Sequence, residues 1–521
     1  MTSRDGGPLL RAREEARAML RLAQICSNAE DVYSRQARRR CRELPEGVPA
    51  HDLSKAGWGI IYAHDERTRG MKELEELTEK RSLQAGSRFK SLEFDGTKDP
   101  QDFLYEVLES SPGTIDPMKT PYYWLLVGSP EQIPFDIQYA LSVNHSVGRI
   151  YFENPEQYRH YARAVVEAEG GAATPRRVDL FAVEKPGDRA IAILTEYLIE
   201  PLLQFLNERM PEWKSRCIRG DDGTLKVLME LLSGADTPGV LLAACHGLKL
   251  PFGDPDQKSL QGALSCLDGV FDASYLDALN PDSRSLHGLI AFLFACYGAG
   301  TPCIDSYPTE VEGEWPAPQH MLSEEEFIAL LPQAMLANGA LAVVGHVDRG
   351  WALSFRWLHR GYSIEASRSL KDSIVRLLQG QRLGHALRPL FRRYSSVVAQ
   401  MLPLLEAAEY GLNVNLRNLR VHKVAATDAR GYIILGDPAV YALGKTLACQ
   451  ESLASDEQTP NYDEARQVFL DPGLLLDIRV AAKNQGMSPQ QWLHEALRRQ
   501  LKAPTPGRGS GIRDGGMRWN S

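Results

Sequence analysis

The sequence predicts an α/β protein built on a mostly parallel sheet that is flanked by helices. Several apolar runs, such as those that end at Cys245 and Cys296, are hydrophobic enough to be strands buried on both faces. Stretches with the helical spacing of apolar residues alternate with these runs, which is typical of a parallel sheet. The chain has 521 residues, 43% of them hydrophobic, so it is long enough for about two to four domains with large cores.

Changes in composition divide the chain into six segments. We expect an N-terminal helical segment, an α/β half, a larger α/β domain, a polar linker, a small strand–helix–helix module and a disordered tail. In that order they cover residues 1–50, 51–170, 171–448, 449–463, 464–503 and 504–521. The tail is rich in glycine and polar residues, a composition that does not form a packed core.

The strands of the first α/β half are predicted from three apolar runs. These runs lie around Trp58, Trp124 and Arg149, and each is followed by residues typical of turns. Their continuous apolar character fits an α/β layer with helices on its faces.

The larger α/β domain shows the most regular alternation of strands and helices. A strand near Leu180 leads into a helix that begins at Asp188, and the strands that end at Cys245 and Cys296 follow. A strand after Gly431 closes the domain. This order of elements predicts repeated β-α units in one parallel sheet.

Helix boundaries in this domain are predicted from capping patterns. Ser323 and Glu326 have the spacing of a capping box, and Gly339 stands where a helix C-cap belongs. We therefore predict a helix from Ser323 to Gly339, and further helices over 365–378 and 386–410.

The charge and the lack of apolar spans restrict the classes of function. The net charge of −8 argues against a surface that generally coats nucleic acid. No stretch reaches the roughly 18 to 20 apolar residues that a membrane helix needs, and the N-terminus lacks the apolar core of a signal peptide. We therefore predict a cytoplasmic protein that does not act on membranes.

The cysteines do not form a metal-binding or disulfide framework. Eight cysteines are scattered along the chain without pairs such as CxxC, and their density is far below that of a disulfide scaffold. We predict no metal site, and a reducing compartment would keep any reactive thiol available.

Two strands end in residues that can carry chemistry. The run VLLAAC precedes His246 and Gly247, and the run AFLFA precedes Cys296. Ligands of an open parallel sheet bind beyond the carboxyl ends of its strands, so neighbouring strands would bring His246 and Cys296 into one crevice. There an imidazole can take the thiol proton during attack on a carbonyl and return it to the leaving amine. The N–H groups of Gly247 and Cys296 are our candidates for an oxyanion hole.

The spacing alone leaves a second interpretation open for each residue. Cysteine is among the most buried residue types, so a core thiol at a strand end also explains Cys296. Cys245, which lies inside its strand, is best explained in that way. A His-Gly pair such as that at His246 also marks ordinary turns.

The His-Gly pair at His246 and the sequence Cys-Tyr-Gly-Ala-Gly at Cys296 resemble motifs of the caspase-like cysteine peptidases. That clan contains caspases, metacaspases, separases, gingipains and CHAT-domain proteases. The segments NGALAVVGHVDRGWALSF and YIILGDPAVYAL are similar to the strand after the nucleophile and to the closing strand of gingipain-like domains, which indicates the CHAT and gingipain-like branch. The resemblance spans about Pro121 to Leu443. It implies a caspase-hemoglobinase fold with a non-catalytic half before the peptidase domain, and it implies that no metal or organic cofactor takes part.

The chain also departs from the family pattern. Many clan members carry an acidic or amide residue two positions before the nucleophile, where this chain has Phe294. A caspase-type preference for Asp is therefore not supported. We consider Asp188 and Asp305 as acidic walls of a substrate pocket that would favour Arg or Lys, and Trp351 as a residue lining it. A surface carboxylate and ordinary packing explain these residues as well.

His346 and Asp348 form an alternative base or orienting pair. We rank this pair below His246, because His246 directly precedes a glycine. Nothing in the sequence identifies a third member of a catalytic triad.

The C-terminal module at 464–503 resembles the ribbon-helix-helix fold of small dimeric repressors. Its candidate strand, RQVFLD, presents only Arg466 and Gln467 as outward polar side chains, which is little for reading bases. Packing on the peptidase, docking and dimerisation are therefore alternatives to DNA binding.

The resemblance implies a cysteine endopeptidase in which Cys296 attacks a peptide carbonyl and His246 transfers the proton. We expect protein substrates and a regulatory protein partner, in a bacterial pathway such as anti-phage defence or cell death. Three alternatives remain: a catalytically inactive caspase-like scaffold, a DNA-binding regulator that acts through the C-terminal module, and another thiol hydrolase or acyltransferase on a similar sheet.

Overall fold

A computed structural model of the chain describes most of residues 44–442. The described ranges are 44–96, 100–108, 115–171, 175–234, 236–277, 285–307, 320–350, 356–359, 362–365, 367–410, 412 and 415–442. The chain divides into two units, Met1–Asp456 and Glu457–Ser521, and every described residue belongs to the first. Most of the predicted N-terminal helical segment, the linker, the C-terminal module and the tail lie outside the described residues. The predicted segment boundaries stay predictions.

A ten-stranded sheet forms the centre of the fold. Numbering all strands in chain order, its members are β1 Trp58–Ala63, β2 Phe89–Phe94, β3 Tyr123–Val127, β4 Ser146–Ile150, β5 Arg177–Ala182, β6 Lys214–Ile218, β7 Val240–Ala244, β11 Ile290–Phe294, β14 Ala342–His346 and β17 Tyr432–Gly436. The short strands outside this sheet are β8 His246–Gly247, β9 Leu264–Ser265, β10 Val270–Phe271, β12 Gly300–Thr301, β13 Phe327–Ile328, β15 Arg356–His359 and β16 Tyr362–Glu365.

The large sheet consists of two parallel blocks that run in opposite directions. Its order is β2-β1-β3-β4-β17-β14-β11-β7-β5-β6, and within it only the pair β14 and β17 is antiparallel. The carboxyl ends of β5, β7, β11 and β14 therefore lie along one edge. The prediction of a mostly parallel α/β sheet is confirmed, and strands from both predicted halves join in this one sheet.

The apolar runs of the sequence form the inner strands of this sheet. Every residue of β3, β7, β11, β14 and β17 is buried. The edge strands β2 and β6 are only partly buried and carry charged side chains. They have no continuous apolar run, and for that reason the sequence did not indicate them.

Helices flank the sheet and connect its parallel strands. In chain order they are α1 Leu53–Ala56, α2 His64–Glu73, α3 Glu75–Ala85, α4 Pro100–Leu108, α5 Phe135–Ser142, α6 Pro155–Glu169, α7 Arg189–Leu194, α8 Glu200–Arg209, α9 Leu225–Leu231, α10 Gln257–Leu260, α11 Ser274–Asp277, α12 Leu330–Ala337, α13 Arg368–Leu378, α14 Leu383–Ala386, α15 Arg388–Glu409 and α16 Leu416–Arg430. Short 3₁₀ turns cover Gly86–Arg88 and Gly220–Asp222.

The predicted helix after Asp188 forms with a π-helical turn in its middle. α7 and α8 are joined by the π-helical residues Thr195–Ile199. Pro201 follows, and proline has no N–H to donate to the carbonyl four residues earlier. That carbonyl belongs to Tyr197 and accepts a hydrogen bond from the Ser367 hydroxyl at 2.5 Å instead.

Two predicted helix starts were wrong. The helix expected from Ser323 begins at Leu330, because the intervening residues include β13, which pairs with β12 after the Cys296 strand. The Ser323 hydroxyl donates to backbone carbonyls rather than capping a helix. Likewise Glu365 belongs to β16, and α13 begins at Arg368. In both places strand pairing replaced the local helical pattern.

A buried ion cluster links the two ends of the described chain. The Arg81 guanidinium has no exposed surface and donates to Asp437 at 2.7 Å and to Glu169 at 2.7 and 2.9 Å. The Trp58 indole N–H donates to the other Asp437 oxygen at 3.0 Å. Asp437 follows β17, whereas the other three members of the cluster belong to the first α/β half, so the cluster joins the closing strand to the parallel block that contains β1, β3 and β4.

Among the described residues, no helix is both long enough and apolar enough to cross a lipid bilayer.

Candidate functional site

The two predicted reactive residues lie together at one edge of the sheet. β7 and β11 are parallel neighbours, and Ala244 pairs with Phe294. His246 and Cys296 each follow two residues after that pair, so both leave the sheet at the same level. They line one cavity of about 100 Å³.

Gly247 brings its backbone against the backbone of Cys296. A Cβ atom added to Gly247 would lie 1.8 Å from the Cys296 carbonyl oxygen and 3.0 Å from the Cys296 nitrogen. Only glycine fits at this distance. Among the described residues, the Cys296 N–H donates to no backbone carbonyl. The backbones of the two residues predicted to form an oxyanion hole are thus in close contact in the structure.

The carboxylate of Asp188 orients His246. The distance between Asp188 Oδ2 and His246 Nε2 is 2.7 Å. Asp188 Oδ1 accepts the N–H groups of Ala190 and Ile191 at 3.1 and 3.2 Å, because Asp188 is the N-cap of α7. The start of the helix therefore fixes the direction of this carboxylate. With the Nε2 proton donated to Asp188, Nδ1 is the ring nitrogen that can accept a proton.

The Cys296 thiol donates its hydrogen bond to a backbone carbonyl in this structure. Burial raises the pKa of the Cys296 thiol above its usual value, and Sγ lies 3.9 Å from the Gly350 carbonyl oxygen, to which it donates. No hydrogen bond within the described part of the chain joins this thiol to His246. Proton transfer requires a hydrogen bond between these two side chains, and catalytic hydrogen bonds often tighten only when substrate is bound.

The backbone directly after Cys296 is strained. Tyr297 has φ 58° and Asp348 has φ 78°, both in the left-handed region that residues other than glycine rarely adopt. The Tyr297 N–H donates to the Asp348 carbonyl at 2.7 Å, so each residue holds the other in place. Strain of this kind persists where the surroundings over-determine it, and it is concentrated at functional sites.

His346, the alternative base, is a buried residue whose two ring nitrogens are both bonded. Nδ1 lies 3.2 Å from the Asp348 carbonyl oxygen and Nε2 lies 2.9 Å from the Asp428 carbonyl oxygen. The ring borders the cavity beside Cys296 but packs edge-on against Tyr432. Because both ring nitrogens face backbone carbonyl oxygens and not the Cys296 thiol, the geometry favours His246 as the base.

Asp305 is the second residue that was predicted as an acidic wall of a substrate pocket. Both oxygens of Asp305 lie 2.6 Å from Arg349 Nη2, and Asp305 does not border the cavity beside Cys296. This pairing neutralises its charge and joins the segment after Cys296 to the end of β14. Trp351 lies outside the described residues.

The role of Asp188 was missed because it depends on the order of the strands. From the sequence, Asp188 is predicted only as a pocket wall, and His246 has no predicted partner. In the structure β5 lies next to β7, with Ala182 paired to Ala244, so the residues that follow these two strands meet at one edge. The helix-capping position of Asp188 was visible in the sequence, but its neighbour across the sheet was not.

No group of three or more His, Cys, Asp or Glu residues in the described ranges is arranged to hold a metal ion.

Comparisons with known proteins find similar solved structures but no similar sequence. Neither a scan against protein-family models nor a search of curated proteins gives a match. The arginine-specific cysteine proteinase gingipain R is 14% identical, with a TM-score of 0.45 over 75% of this chain and 79% of its own. The complex of Porphyromonas gingivalis RgpB pro- and mature domains is 12% identical, with a TM-score of 0.42 over 74% and 79%.

A second group of similar structures is more distant. The Saccharomyces cerevisiae separase–securin complex is 8% identical, with a TM-score of 0.30 over 62% of this chain but only 16% of that chain. At these identities and TM-scores, similarity does not assign the chain to a family.

Proposed function

We propose that the chain is a cysteine peptidase of the caspase-like type. Cys296 is the nucleophile, His246 is the general base and acid, and Asp188 is a positioning residue. The observation that carries the proposal is the 2.7 Å contact between Asp188 and His246, beside a cavity that Cys296 also lines. A nucleophile, a base and a group that orients the base are the parts required for covalent catalysis of acyl transfer.

The proposed reaction begins with transfer of the thiol proton to His246. Nδ1 accepts the Sγ proton, and the Asp188 carboxylate stabilises the resulting imidazolium through Nε2–H. Sγ then attacks the peptide carbonyl carbon, and the C–N bond breaks as Nδ1–H protonates the leaving amine. A water molecule, deprotonated by His246, hydrolyses the thioester and returns the thiol.

The negative charge that develops on the carbonyl oxygen requires donors nearby. The adjacent backbone N–H groups of Gly247 and Cys296 are proposed for this role, because their peptide groups are in contact at the end of the sheet. Loss of one oxyanion donor in other hydrolases lowers kcat by about 10²- to 10³-fold, so this pair carries a large share of the proposed rate.

We further propose protein substrates and control by a regulatory protein partner, in a pathway such as anti-phage defence or cell death. The resemblance of the segments NGALAVVGHVDRGWALSF and YIILGDPAVYAL to the CHAT and gingipain-like branch supports this proposal. A direct test of cleavage distinguishes the peptidase proposal from the alternative, an inactive caspase-like scaffold.

The test compares the full chain with its Cys296→Ala and His246→Ala variants on a peptide library and on a proteome. We expect cleavage by the unmodified chain, loss of cleavage with Cys296→Ala and a large loss with His246→Ala. Equal cleavage by all three proteins would refute the assignment, and the absence of Cys296-dependent cleavage on every substrate would favour the scaffold.

A further inference from the structure

The cavity beside Cys296 has mostly apolar walls. In addition to His246 and Cys296, it is bordered by Ala190, Ile191 and Leu194 from the start of the helix after β5, and by Phe294 and Ala295 at the end of β11. Phe294 is the residue that occupies the position of an acidic or amide residue in many caspase-like peptidases.

This cavity is where the P1 side chain of a peptide substrate would lie. The P1 side chain is attached to the carbon next to the attacked carbonyl, so it must lie within a few bonds of Cys296 Sγ when the bond forms. The cavity borders both Cys296 and His246, and it opens at the carboxyl edge of the sheet, where substrates of α/β folds bind.

The two carboxylates predicted as walls of a substrate pocket are not available to a cationic P1 side chain. Asp188 uses one oxygen for the N–H groups of α7 and the other for His246. Asp305 is paired with Arg349 away from the cavity. Among the described residues that border the cavity, none carries a carboxylate. A Lys or Arg side chain in the cavity would therefore lack an anionic partner among these residues, which is strongly unfavourable.

We infer that the site selects substrates with an uncharged apolar P1 residue of medium size, with Leu194, Phe294 and Ala190 as specificity-determining residues. The inference rests on the proposed peptidase function and deepens it. The volume of about 100 Å³ is smaller than the roughly 150 Å³ cavity that holds benzene. Side chains of the size of Val, Leu and Met suit this space, whereas Ala leaves part of it empty and Trp does not fit.

The first test measures kcat/KM of the full chain on matched peptides that differ only at P1. We expect Leu, Met and Val to exceed Arg, Lys and Asp by at least about tenfold, since even one methylene in an apolar pocket is worth about 10- to 200-fold. Cys296→Ala is the blank. Cys296-dependent cleavage after Arg or Lys overturns the inference but leaves the peptidase proposal intact. No Cys296-dependent cleavage of any peptide defeats both.

The second test introduces the missing charge at the rim of the cavity. Ala190 is exposed and lies in the first turn of α7, where an acidic residue is compatible with the helix dipole. Ala190→Asp is expected to raise the Arg-to-Leu ratio of kcat/KM by about tenfold or more, and Ala190→Asn, with the same shape and no charge, is expected not to raise it. An equal ratio in the two variants contradicts the assignment of this cavity to P1.

Discussion

The Asp188→Asn substitution tests how the site controls the imidazole of His246. Asn is as good an N-cap as Asp, so its side-chain oxygen is expected to keep the two N–H bonds at the start of α7. The side-chain NH₂ then takes the place of Oδ2, which lies 2.7 Å from His246 Nε2. An NH₂ group donates, so Nε2 becomes the acceptor and the proton moves to Nδ1. In that tautomer Nδ1 cannot accept the thiol proton.

The expected loss of activity is large and the expected loss of stability is small. In Ser-His-Asp enzymes the same change lowers kcat about 10⁴-fold through the wrong tautomer. Half of the His246 side chain is exposed, so the ring retains some freedom to turn. We therefore expect kcat to fall by about 10²- to 10³-fold while KM changes little. Steady-state kinetics on the best peptide from the P1 panel, with thermal unfolding measured in parallel, gives both quantities.

Asp188→Ala is the matched control for this prediction. It removes the carboxylate without supplying a donor, so the tautomer is no longer forced and kcat is expected to fall less than with Asn. It also removes the helix cap and is expected to destabilise the fold by about 1 kcal/mol. If Asp188→Asn keeps activity within about threefold of the unmodified chain, or if Ala is the more damaging change for kcat, the role assigned to Asp188 is wrong.

Four further predictions concern the ion cluster, the thiol and the glycine. Arg81→Met removes the guanidinium shared by two buried carboxylates and leaves only Lys80, 3.7 Å from Glu169, so we expect the free energy of unfolding in urea to fall by about 3 to 5 kcal/mol. Burial acts to raise the pKa of Glu169, but the Arg81 guanidinium overrides it and lowers that pKa to about 2. The ionised Glu169 carboxylate therefore contributes its full share to the free energy of unfolding above the unfolded pKa of about 4.3, and this contribution is lost as the pH falls towards 2. In Glu169→Gln, the free energy of unfolding measured in urea should depend less on pH between these two values. Because burial raises the pKa of the Cys296 thiol, its alkylation by iodoacetamide without substrate should be slow at pH 7 and still rising above pH 9, as followed by mass spectrometry. Gly247→Ala should abolish peptide cleavage and lower the melting temperature, because its Cβ would collide with the Cys296 carbonyl. Gly59→Ala, which introduces a similar collision far from the site, tests whether crowding alone has the same effect on activity.

The inner part of the fold was predictable from the sequence, and the edges were not. The runs that became β7, β11 and β14 are buried on both faces, so their sequences are continuously apolar. β6 is an edge strand with Lys214 and Arg216 among its five residues, and nothing distinguishes such a run from a polar loop. The start of α12 was misplaced because a capping pattern at Ser323 reports only local preference, whereas the pairing of β13 with β12 is decided by residues about 27 positions apart.

In the candidate site, too, the local features were predictable from the sequence and the contacts between strands were not. His246, Gly247 and Cys296 were identified because each directly follows an apolar strand, and that information is local. The partner of His246 depended on β5 being a neighbour of β7, which is a property of the sheet order. Asp305 was considered for a pocket role on its position in the sequence alone, and its pairing with Arg349 depends on where β14 ends relative to the segment after Cys296.

Covalent labelling of Cys296 tests the central claim most directly. The full chain is treated with peptidyl acyloxymethyl ketones that carry Leu or Arg at P1, and labelled residues are located by peptide mapping. The claim predicts one label per chain, on Cys296, formed at least about tenfold more slowly in His246→Ala because the thiol loses its base. Labelling spread over other accessible thiols such as Cys303, at a rate that His246→Ala does not change, would contradict it.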